Sequence, residues 1–443
     1  MKKTISKKAL HIIIILIGIV FVSFSMIHIN MCFSDAYSVG IANHSLGEMC
    51  NLSKVCAYPM FYYFCLHILS LIFGNNIIVY RIFSIVCISL LGLLGFTHIR
   101  KDFGEKAGLL FSILVFFLPI SVLCAERINM YILSILLLII SFIYAYRIYK
   151  SKKSNKKNWI LYTISSILAA YTHYLAFIVV CLINILFYIK KYKKAKKNTD
   201  SKKMFKISVV SQAVLYIPCL IVLIIQLVNG FNSPGYFKKL LTFPIKENIN
   251  STAFVIGSIL ILIFYMCLLI NTIYKKKKDN ISETAKNVIK VLSIIICICS
   301  IGVSIFIKHN QVQMNYDYFN ESFFEFCEGI IEKDDIILIS NGNKNWKSGF
   351  IISAYFPEAK VYFWNQNDIK DDNRYKVFGN GFTAISDLND FGDYVGRIWI
   401  IDDENYSLYE SVYDHLFVSE LKQSDFIIEY NNEEFYITLV EIE

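Results

Sequence analysis

The first 308 residues of this 443-residue chain contain very little negative charge. They hold 35 Lys and Arg but only 9 Asp and Glu, a net charge of +26, whereas residues 309–443 hold 9 basic and 26 acidic residues, a net charge of −17. A soluble enzyme with evenly mixed charges does not divide in this way. The whole chain is 56% hydrophobic and 15% aromatic, a composition typical of proteins that cross a membrane several times.

Several motifs of catalysis and cofactor binding are also missing. The chain has no GxxxxGK[ST] phosphate loop, no HExxH motif and no GxSxG motif. Its 12 Cys residues lie mostly in apolar stretches and include no CxxC pair, so no redox motif is indicated. Its 8 His residues are dispersed, so no zinc site is indicated either. The basic residues lie in runs between apolar segments rather than on one polar face, which argues against nucleic acid as a partner.

Long apolar runs dominate residues 1–308 and predict about nine membrane spans. Each run approaches the length needed to cross the hydrocarbon core of a bilayer. Because no small-residue cleavage site follows the first run, we interpret it as a retained span rather than a signal peptide. The predicted spans cover residues 10–30, 77–98, 107–123, 130–146, 159–171, 175–189, 207–228, 254–274 and 288–307.

The distribution of Lys and Arg predicts the orientation of these spans. With the N-terminus in the cytoplasm, the cytoplasmic segments hold 28 of the 35 basic residues, as the positive-inside rule requires. If the apolar stretch 59–74 also crossed, every later loop would change sides, so we expect an interfacial or re-entrant helix at the outer surface. The alternative is that 59–74 crosses and another predicted span does not. The preferred topology places residues 31–58 and everything after residue 307 outside.

The last 135 residues predict a different kind of structure. Their alternation of short β-rich and helical segments predicts a small extracytoplasmic α/β domain, large enough to fold on its own. The predicted architecture is therefore a polytopic α-helical membrane domain, residues 1–308, followed by a soluble α/β domain, residues 309–443. The β-rich runs lie at residues 335–340, 360–364, 397–401, 426–430 and 435–440, with helices between the first two and at 408–417.

Few charged residues lie near the outer membrane face, which narrows the search for a site. Asp35 follows the first span closely, Arg81 lies near the outer end of the second, and Glu126-Arg127 closes the third. Ionisable residues this close to hydrocarbon are costly unless they are paired or solvated, so each is a functional candidate. The alternative for any one of them is a role as an interface anchor.

Four sequence elements, in order, resemble the GT-C superfamily of membrane glycosyltransferases. The resemblance is to the family 39 type, which includes protein O-mannosyltransferases and lipid A aminoarabinose transferases, and it covers about residues 10–190. Two departures are visible: Ala36 follows the aspartate where the family usually has a second acidic residue, and Tyr58-Pro59-Met60 replaces a His-Pro-Pro start of the surface helix. The four elements are Asp35 after the first span, YPMFYY at 58–63, AERINMY at 125–131, and the stretch from Trp159 to AYTHY at 170–174.

The resemblance implies transfer of a sugar from a polyprenyl phosphate to an acceptor hydroxyl, on a protein, a lipid or a cell-envelope glycan, with inversion. It implies that Asp35 acts as the general base, and that Arg127 or Arg81 stabilises the departing phosphate. Whether a divalent metal takes part is left open, with Glu126 as a candidate ligand. The further candidate substrate-binding residues are Glu126, His173, Tyr174 and Tyr62.

Two other classes of function are kept as alternatives. A membrane transporter or lipid flippase often has paired halves with interrupted helices and charges at mid-span; the sequence shows neither, and its six Pro lie mostly at segment ends or in loops. A membrane-anchored sensor or structural protein would need no membrane-embedded outer cavity. The Lys-, Ile- and Asn-rich composition indicates a bacterial protein of the cell membrane.

Overall fold

The structure is a computed structural model of the chain, and it separates into two compact units. One unit comprises Met1–His28, Cys56–Tyr62 and Ile78–Asn310, and the other Ile29–Val55, Tyr63–Ile77 and Gln311–Glu443. Predicted spans 254–274 and 288–307 and predicted segments 408–417 and 426–430 lie outside the described residues. Those residues are 7–24, 31, 33–54, 58–151, 154–189, 200–230, 331–332, 334–340, 346–356, 359–364, 382–385, 395–403, 418–424 and 435–442.

The described part of the membrane domain is helical, as its apolar runs predict. Helices are present at each predicted span up to residue 230, so the predicted segments are confirmed as helices there. In chain order the helices are α1 (Lys7–Phe24), α2 (Phe33–Ala42), α3 (Leu46–Leu52), α4 (Phe61–Phe73), α5 (Ile77–Leu94), α6 (Arg100–Phe103), α7 (Glu105–Phe117), α8 (Pro119–Glu126), α9 (Tyr131–Lys150), α10 (Lys156–Thr172), α11 (Tyr174–Phe187) and α12 (Asp200–Gly230). A π-helical turn, Gly95–Ile99, joins α5 to α6.

Within the described residues, three helical segments are long and apolar enough to cross a membrane: Ile77–Phe103, Tyr131–Lys150 and Asp200–Val228. The bent pair α7 and α8 is a fourth candidate if it forms one broken span, and α1, α4 and α11 are shorter apolar helices. Large apolar side chains are exposed on these helices, for example Leu16 and Ile224 at 58% and 59%. Such faces require an apolar surrounding.

The predicted span 107–123 is broken in the structure, and the reason is local. Leu118 has an extended backbone (φ −75°, ψ 125°) and separates α7 from α8, which begins at Pro119. Proline disfavours a helical conformation of the residue before it and has no N–H to continue the ladder, yet it fits the first turn of a new helix. The Leu-Pro dipeptide therefore ends one helix and starts the next.

Polar side chains connect the inner helices of the first unit. Tyr162 on α10 donates to Asn184 on α11 at 2.7 Å, and Asn184 donates to Gln212 on α12 at 2.7 Å. The hydroxyls of Ser141 on α9 and Ser166 on α10 lie 2.7 Å apart. Interhelical hydrogen bonds of this kind contribute to the association of helices in a bilayer. The hydrophobic effect contributes little to that association, because the lipid tails are themselves apolar.

The outer loop predicted for residues 31–58 contains two helices, α2 and α3. Ser45 and Glu48 form a capping box at α3: the Glu48 N–H donates to the Ser45 hydroxyl, and Glu48 Oε2 accepts from the Ser45 N–H at 3.0 Å. The Ser-x-x-Glu pattern that produces this cap is visible in the sequence. The Ser45 hydroxyl, at 2.8 Å, and the Ser45 N–H both donate to Glu48 Oε2, and these two hydrogen bonds lower the pKa of the exposed Glu48 carboxyl.

The predicted surface helix in 59–74 is present as α4. Leu66 and His67 are buried, whereas Phe64, Ile68 and Leu71 are 40%, 40% and 72% exposed. The helix therefore has an exposed apolar stripe, as expected of an interfacial helix. Its depth in a membrane stays a prediction.

The region after residue 330 forms a six-stranded sheet with one described helix, α13 (Trp346–Tyr355). The strand order is β3-β2-β1-β4-β6-β5. Strand β1 pairs in parallel with β2 and β4, and β2 pairs in parallel with β3. Strand β6 is antiparallel to β4 and β5. The strands are β1 (Ile336–Ser340), β2 (Lys360–Trp364), β3 (Phe382–Ile385), β4 (Gly396–Asp403), β5 (Val418–Ser424) and β6 (Phe435–Ile442).

The sheet has its core along β1, where residues 336–339 are all buried. A strand that packs on both faces is expected to read as a continuous apolar run, as DIILIS does. The predicted runs at 335–340, 360–364, 397–401 and 435–440 correspond to β1, β2, β4 and β6, while β3 and β5 were not predicted. The division of the chain at residue 308 stays a prediction.

Candidate active site

Four candidate residues of the first unit have ionisable side chains, and all four are buried. Arg81, Glu126, Arg127 and His173 are 6%, 3%, 3% and 3% exposed. Each takes part in at least one hydrogen-bonding, ionic or ring interaction, as desolvated charge requires. These residues are therefore part of the interior of the helical unit rather than solvated ends of its helices.

The turn between α8 and α9 fixes the backbone that carries Glu126 and Arg127. Helix α8 ends at Glu126, and Arg127 is extended (φ −103°, ψ 152°). The Asn129 N–H donates to the Arg127 carbonyl at 3.0 Å, and the Asn129 side-chain oxygen accepts from the Tyr131 N–H at 3.1 Å. Asn129 thus satisfies a first-turn N–H of α9 in the manner of a helix cap.

A buried hydrogen bond joins this turn to α5. The Ser84 hydroxyl donates to the Arg127 carbonyl at 3.0 Å. Ser84 lies three residues after Arg81, and residues at that spacing share one face of a helix. The face of α5 that includes Arg81 is therefore tied to the turn that carries Arg127.

His173 forms the junction between α10 and α11. Its backbone is extended (φ −155°, ψ 137°), and its Nδ1 accepts a hydrogen bond from the Leu175 N–H at 3.1 Å. Burial lowers the pKa of His173 to about 4, so the ring is neutral at physiological pH. Because Nδ1 is the acceptor, the proton of the neutral ring is on Nε2, which makes Nε2 a hydrogen-bond donor.

Two tyrosine rings flank His173. The ring centroids of Tyr131, on α9, and Tyr58, before α4, lie 5.6 Å and 5.7 Å from that of the histidine. Tyr131 follows Arg127 by four residues, so the turn between α8 and α9 and the junction between α10 and α11 meet at this ring cluster.

The other two tyrosines predicted for the site are also buried. The Tyr174 hydroxyl donates to Oε1 of Gln226 on α12 at 2.7 Å, and Gln226 is fully buried. The Tyr62 ring, at the start of α4, lies 6.1 Å from the ring of Phe83 on α5. Phe83 is adjacent to Ser84, so Tyr62 contacts the segment of α5 that is joined to the α8–α9 turn.

Asp35 belongs to the second unit. It lies in the first turn of α2 and is fully buried, together with Ala36 and Val39. A carboxylate in the first turn of a helix is stabilised by the partial positive charge of the helix N-terminus. Asp35 takes part in at least one interaction in the structure. The Tyr37 and Tyr63 rings, 6.5 Å apart, connect α2 to α4.

In the first unit the contacts connect the helix of Arg81, the turn of Glu126 and Arg127, and the junction of His173 and Tyr174. The described residues contain no group of three or more His, Cys, Asp or Glu side chains arranged to hold a metal ion. Glu126 therefore stays a candidate ligand only, and no metal site is assigned.

The sequence analysis did not assign Ser84, Asn129, Tyr131 or Gln226 to the site. Gln226 had a recognisable signal, because it is a polar residue near the end of an otherwise apolar run, and such residues hydrogen-bond across helices. Ser84 had none, since its role depends on a carbonyl 43 residues away.

Comparison with known proteins finds two kinds of similarity. Residues 57–221 match the sequence profile of the dolichyl-phosphate-mannose-protein mannosyltransferase family. This range contains every candidate residue of the first unit but not Asp35. A search of curated proteins finds no significant match.

The second similarity is to solved structures. The crystal structure of ArnT from Cupriavidus metallidurans bound to undecaprenyl phosphate matches with a TM-score of 0.53 and 8% identity, covering 97% of each chain. The apo structure of the same protein matches with a TM-score of 0.48, 8% identity and the same coverage. At this identity the first of these matches shows a shared fold. The GT-C resemblance inferred from the sequence is thereby confirmed. The chain shares its fold with the ArnT structure, and residues 57–221 match the mannosyltransferase profile.

Proposed function

We propose that this chain, which has the fold of a GT-C membrane glycosyltransferase, transfers a sugar from a polyprenyl phosphate to an acceptor hydroxyl. The observation that carries the proposal is the buried charged turn of Glu126 and Arg127, joined through Ser84 to the helix of Arg81. The turn lies inside the range that matches the mannosyltransferase family. ArnT, which shares the fold, was crystallised with undecaprenyl phosphate, a lipid of the proposed class.

Asp35 is the proposed general base. The acceptor oxygen attacks the anomeric carbon of the sugar from the face opposite the phosphate, so that the configuration inverts. The hydroxyl proton passes to the Asp35 carboxylate. The bond between the anomeric carbon and the phosphate oxygen breaks, and its electron pair leaves with the polyprenyl phosphate.

Arg127 and Arg81 are the proposed phosphate-binding residues. Negative charge accumulates on the lipid phosphate as the sugar departs, and fixed cations in a site of low polarity stabilise that charge. A guanidinium also matches the geometry of two phosphate oxygens, so it orients the group that it neutralises. The hydrogen bond from Ser84 restrains the backbone of Arg127 before the substrate binds.

His173, Tyr174, Tyr62 and Glu126 are the proposed remaining contacts to the donor. The neutral His173 ring can donate from Nε2 to a phosphate or sugar oxygen. Tyrosine hydroxyls donate and accept equally, as binding a sugar requires. Glu126 can orient Arg127 or accept from sugar hydroxyls.

The proposed location is the cell membrane of a bacterium, with the reaction at the outer face. The distribution of basic residues supports a cytoplasmic N-terminus, nine spans, α4 at the outer surface and an extracytoplasmic C-terminal α/β domain. The proposed partners are the polyprenyl-phosphate sugar, membrane lipid and a glycan, lipid or protein acceptor.

The proposal is tested with membrane vesicles that contain the full chain, since these vesicles also supply the native acceptors. Undecaprenyl phosphates that carry different radiolabelled hexoses or pentoses are added one at a time. Label from at least one donor is expected to move to an acceptor, with release of undecaprenyl phosphate. If the purified chain does not bind undecaprenyl phosphate and no donor is consumed, the proposal is wrong. Passage of intact donor across the bilayer without transfer would instead support the flippase alternative.

A further inference from the structure

Within the second unit, the N-terminal segment that contains α2 contacts the C-terminal region that contains the sheet. Helix α13, which follows the first strand of the C-terminal sheet, packs on α2, the helix that carries Asp35. The same helix also packs on β1 and β2. The sheet therefore supports α2 through a single intervening helix.

Within this contact, one hydrogen bond reaches the backbone just before α2. The Met31 N–H donates to the Tyr355 hydroxyl oxygen at 3.0 Å, across 324 residues of sequence. Met31 is 1% exposed, so loss of the bond would leave an N–H in the interior without this acceptor. Tyr355 is the last residue of α13, and Met31 precedes Asp35 by four residues.

Helix α2 needs such support because it is short. It has 10 residues, fewer than an isolated helix needs for stability in water. Its position therefore depends on packing and on restraints at its ends. A restraint at Met31 fixes the chain just before the first turn, and the first turn contains Asp35.

We propose that Tyr355 is a positioning residue for Asp35, and that the C-terminal α/β domain thereby holds the helix of the proposed base in place. The inference rests on the proposed function, because it assigns a consequence to the placement of the proposed base. Tyr355 does not touch substrate in this account. It acts through the backbone of Met31 and the packing of α13 on α2.

The test is Tyr355→Phe, which keeps the ring and removes the acceptor oxygen. Displacement of the general base by up to about 1 Å slows the chemical step but does not weaken substrate binding. The kcat is therefore expected to fall about 10- to 100-fold. The KM for the undecaprenyl-phosphate sugar is expected to be unchanged, as is the fraction of purified protein that binds undecaprenyl phosphate. A merely structural defect would instead lower that binding-competent fraction in proportion to activity.

Two matched controls separate the acceptor oxygen from other effects. Tyr362→Phe makes the same change on β2 of the same sheet and is expected to keep the wild-type kcat. Met31→Leu keeps the backbone N–H and nearly the same side-chain volume. This variant is also expected to have the wild-type kcat. A Tyr355→Phe enzyme with wild-type kcat overturns the inference if Asp35→Asn is inactive. If Asp35→Asn transfers sugar at the wild-type rate, the assignment of Asp35 as the base is wrong, whereas the proposed function itself is wrong if the wild-type chain consumes no donor.

Discussion

The Ser84 hydroxyl donates to the carbonyl oxygen of Arg127 at 3.0 Å, in a region where both residues are buried. This bond joins α5, which contains Arg81, to the turn that ends α8. It restrains the turn that contains Arg127 relative to the helix that contains Arg81, 46 residues earlier in the sequence.

Removal of that hydrogen bond is expected to weaken donor binding. Ser84→Ala leaves the Arg127 carbonyl without its partner from α5, at a cost of about 1 kcal/mol. The Kd for undecaprenyl phosphate is expected to rise by up to about 5-fold, the limit reached if the whole of that free energy is lost from the bound state. Ser165→Ala is the matched control, because Ser165 is buried but donates within its own helix. Equal binding by both variants would contradict the role of Ser84.

Replacement of Arg127 is expected to have a larger effect. Arg127→Gln removes the charge and keeps some hydrogen-bonding capacity, and a hydrogen bond to a charged group is worth about 1.5–3 kcal/mol. Binding of undecaprenyl phosphate, measured by native mass spectrometry in detergent, is expected to weaken about 10- to 150-fold. Lys54→Gln removes a charge from the exposed segment after α3, where Lys54 contacts Asn51, and should leave binding unchanged. Wild-type affinity of Arg127→Gln would exclude it as a phosphate-binding residue.

Lower pH is expected to destabilise the protein partly through His173. The folded pKa is about 4, below the value of about 6.5 for an unfolded histidine, so the unfolded chain binds the proton more tightly between these values. This contribution to stability is complete above about pH 6.5 and is lost as the pH falls towards 4. His173→Asn keeps a side chain suited to cap α11 but cannot titrate. Its Tm should therefore depend less on pH than the wild-type Tm between pH 4.5 and 7, and equal dependence would argue against a buried neutral His173.

Gln226 is expected to couple energetically to Tyr174. Each of Tyr174→Phe and Gln226→Leu removes one side of a buried hydrogen bond of 2.7 Å, so the double variant should be about 1 kcal/mol more stable than the sum of the single effects predicts. The free energy of unfolding in mixed micelles measures this. Tyr171→Phe is the control, since Tyr171 donates to the Leu215 carbonyl and its effect should add to that of Gln226→Leu. Additivity in both pairs would show that the Tyr174 contact contributes nothing.

Local patterns were enough to predict much of the fold. Apolar runs predicted the described membrane helices, and β-rich runs predicted four of the six strands of the sheet. The Ser45-x-x-Glu48 cap and the break at Pro119 also follow from local chemistry, although the sequence analysis did not use them. All of these features depend on residues close together in the chain.

The contacts that define the candidate site were not predictable in this way. Ser84 meets Arg127 across 43 residues, Tyr174 meets Gln226 across 52, and Met31 meets Tyr355 across 324. No local pattern encodes these pairs, because each depends on how the helices pack. The sequence pointed to the charged candidate residues. It did not predict the neutral residues that hydrogen-bond to the turns and helices carrying them.

The most direct test of the account is the rate of sugar transfer by Asp35→Asn in vesicles. Loss of a general base is expected to lower kcat about 10²- to 10⁴-fold, with undecaprenyl phosphate still bound at wild-type affinity. Glu48→Gln is the matched control, because Glu48 lies in the next helix, α3, and is exposed, and it should transfer sugar at the wild-type rate. Transfer by Asp35→Asn at the wild-type rate would contradict the assignment of Asp35 and the mechanism built on it.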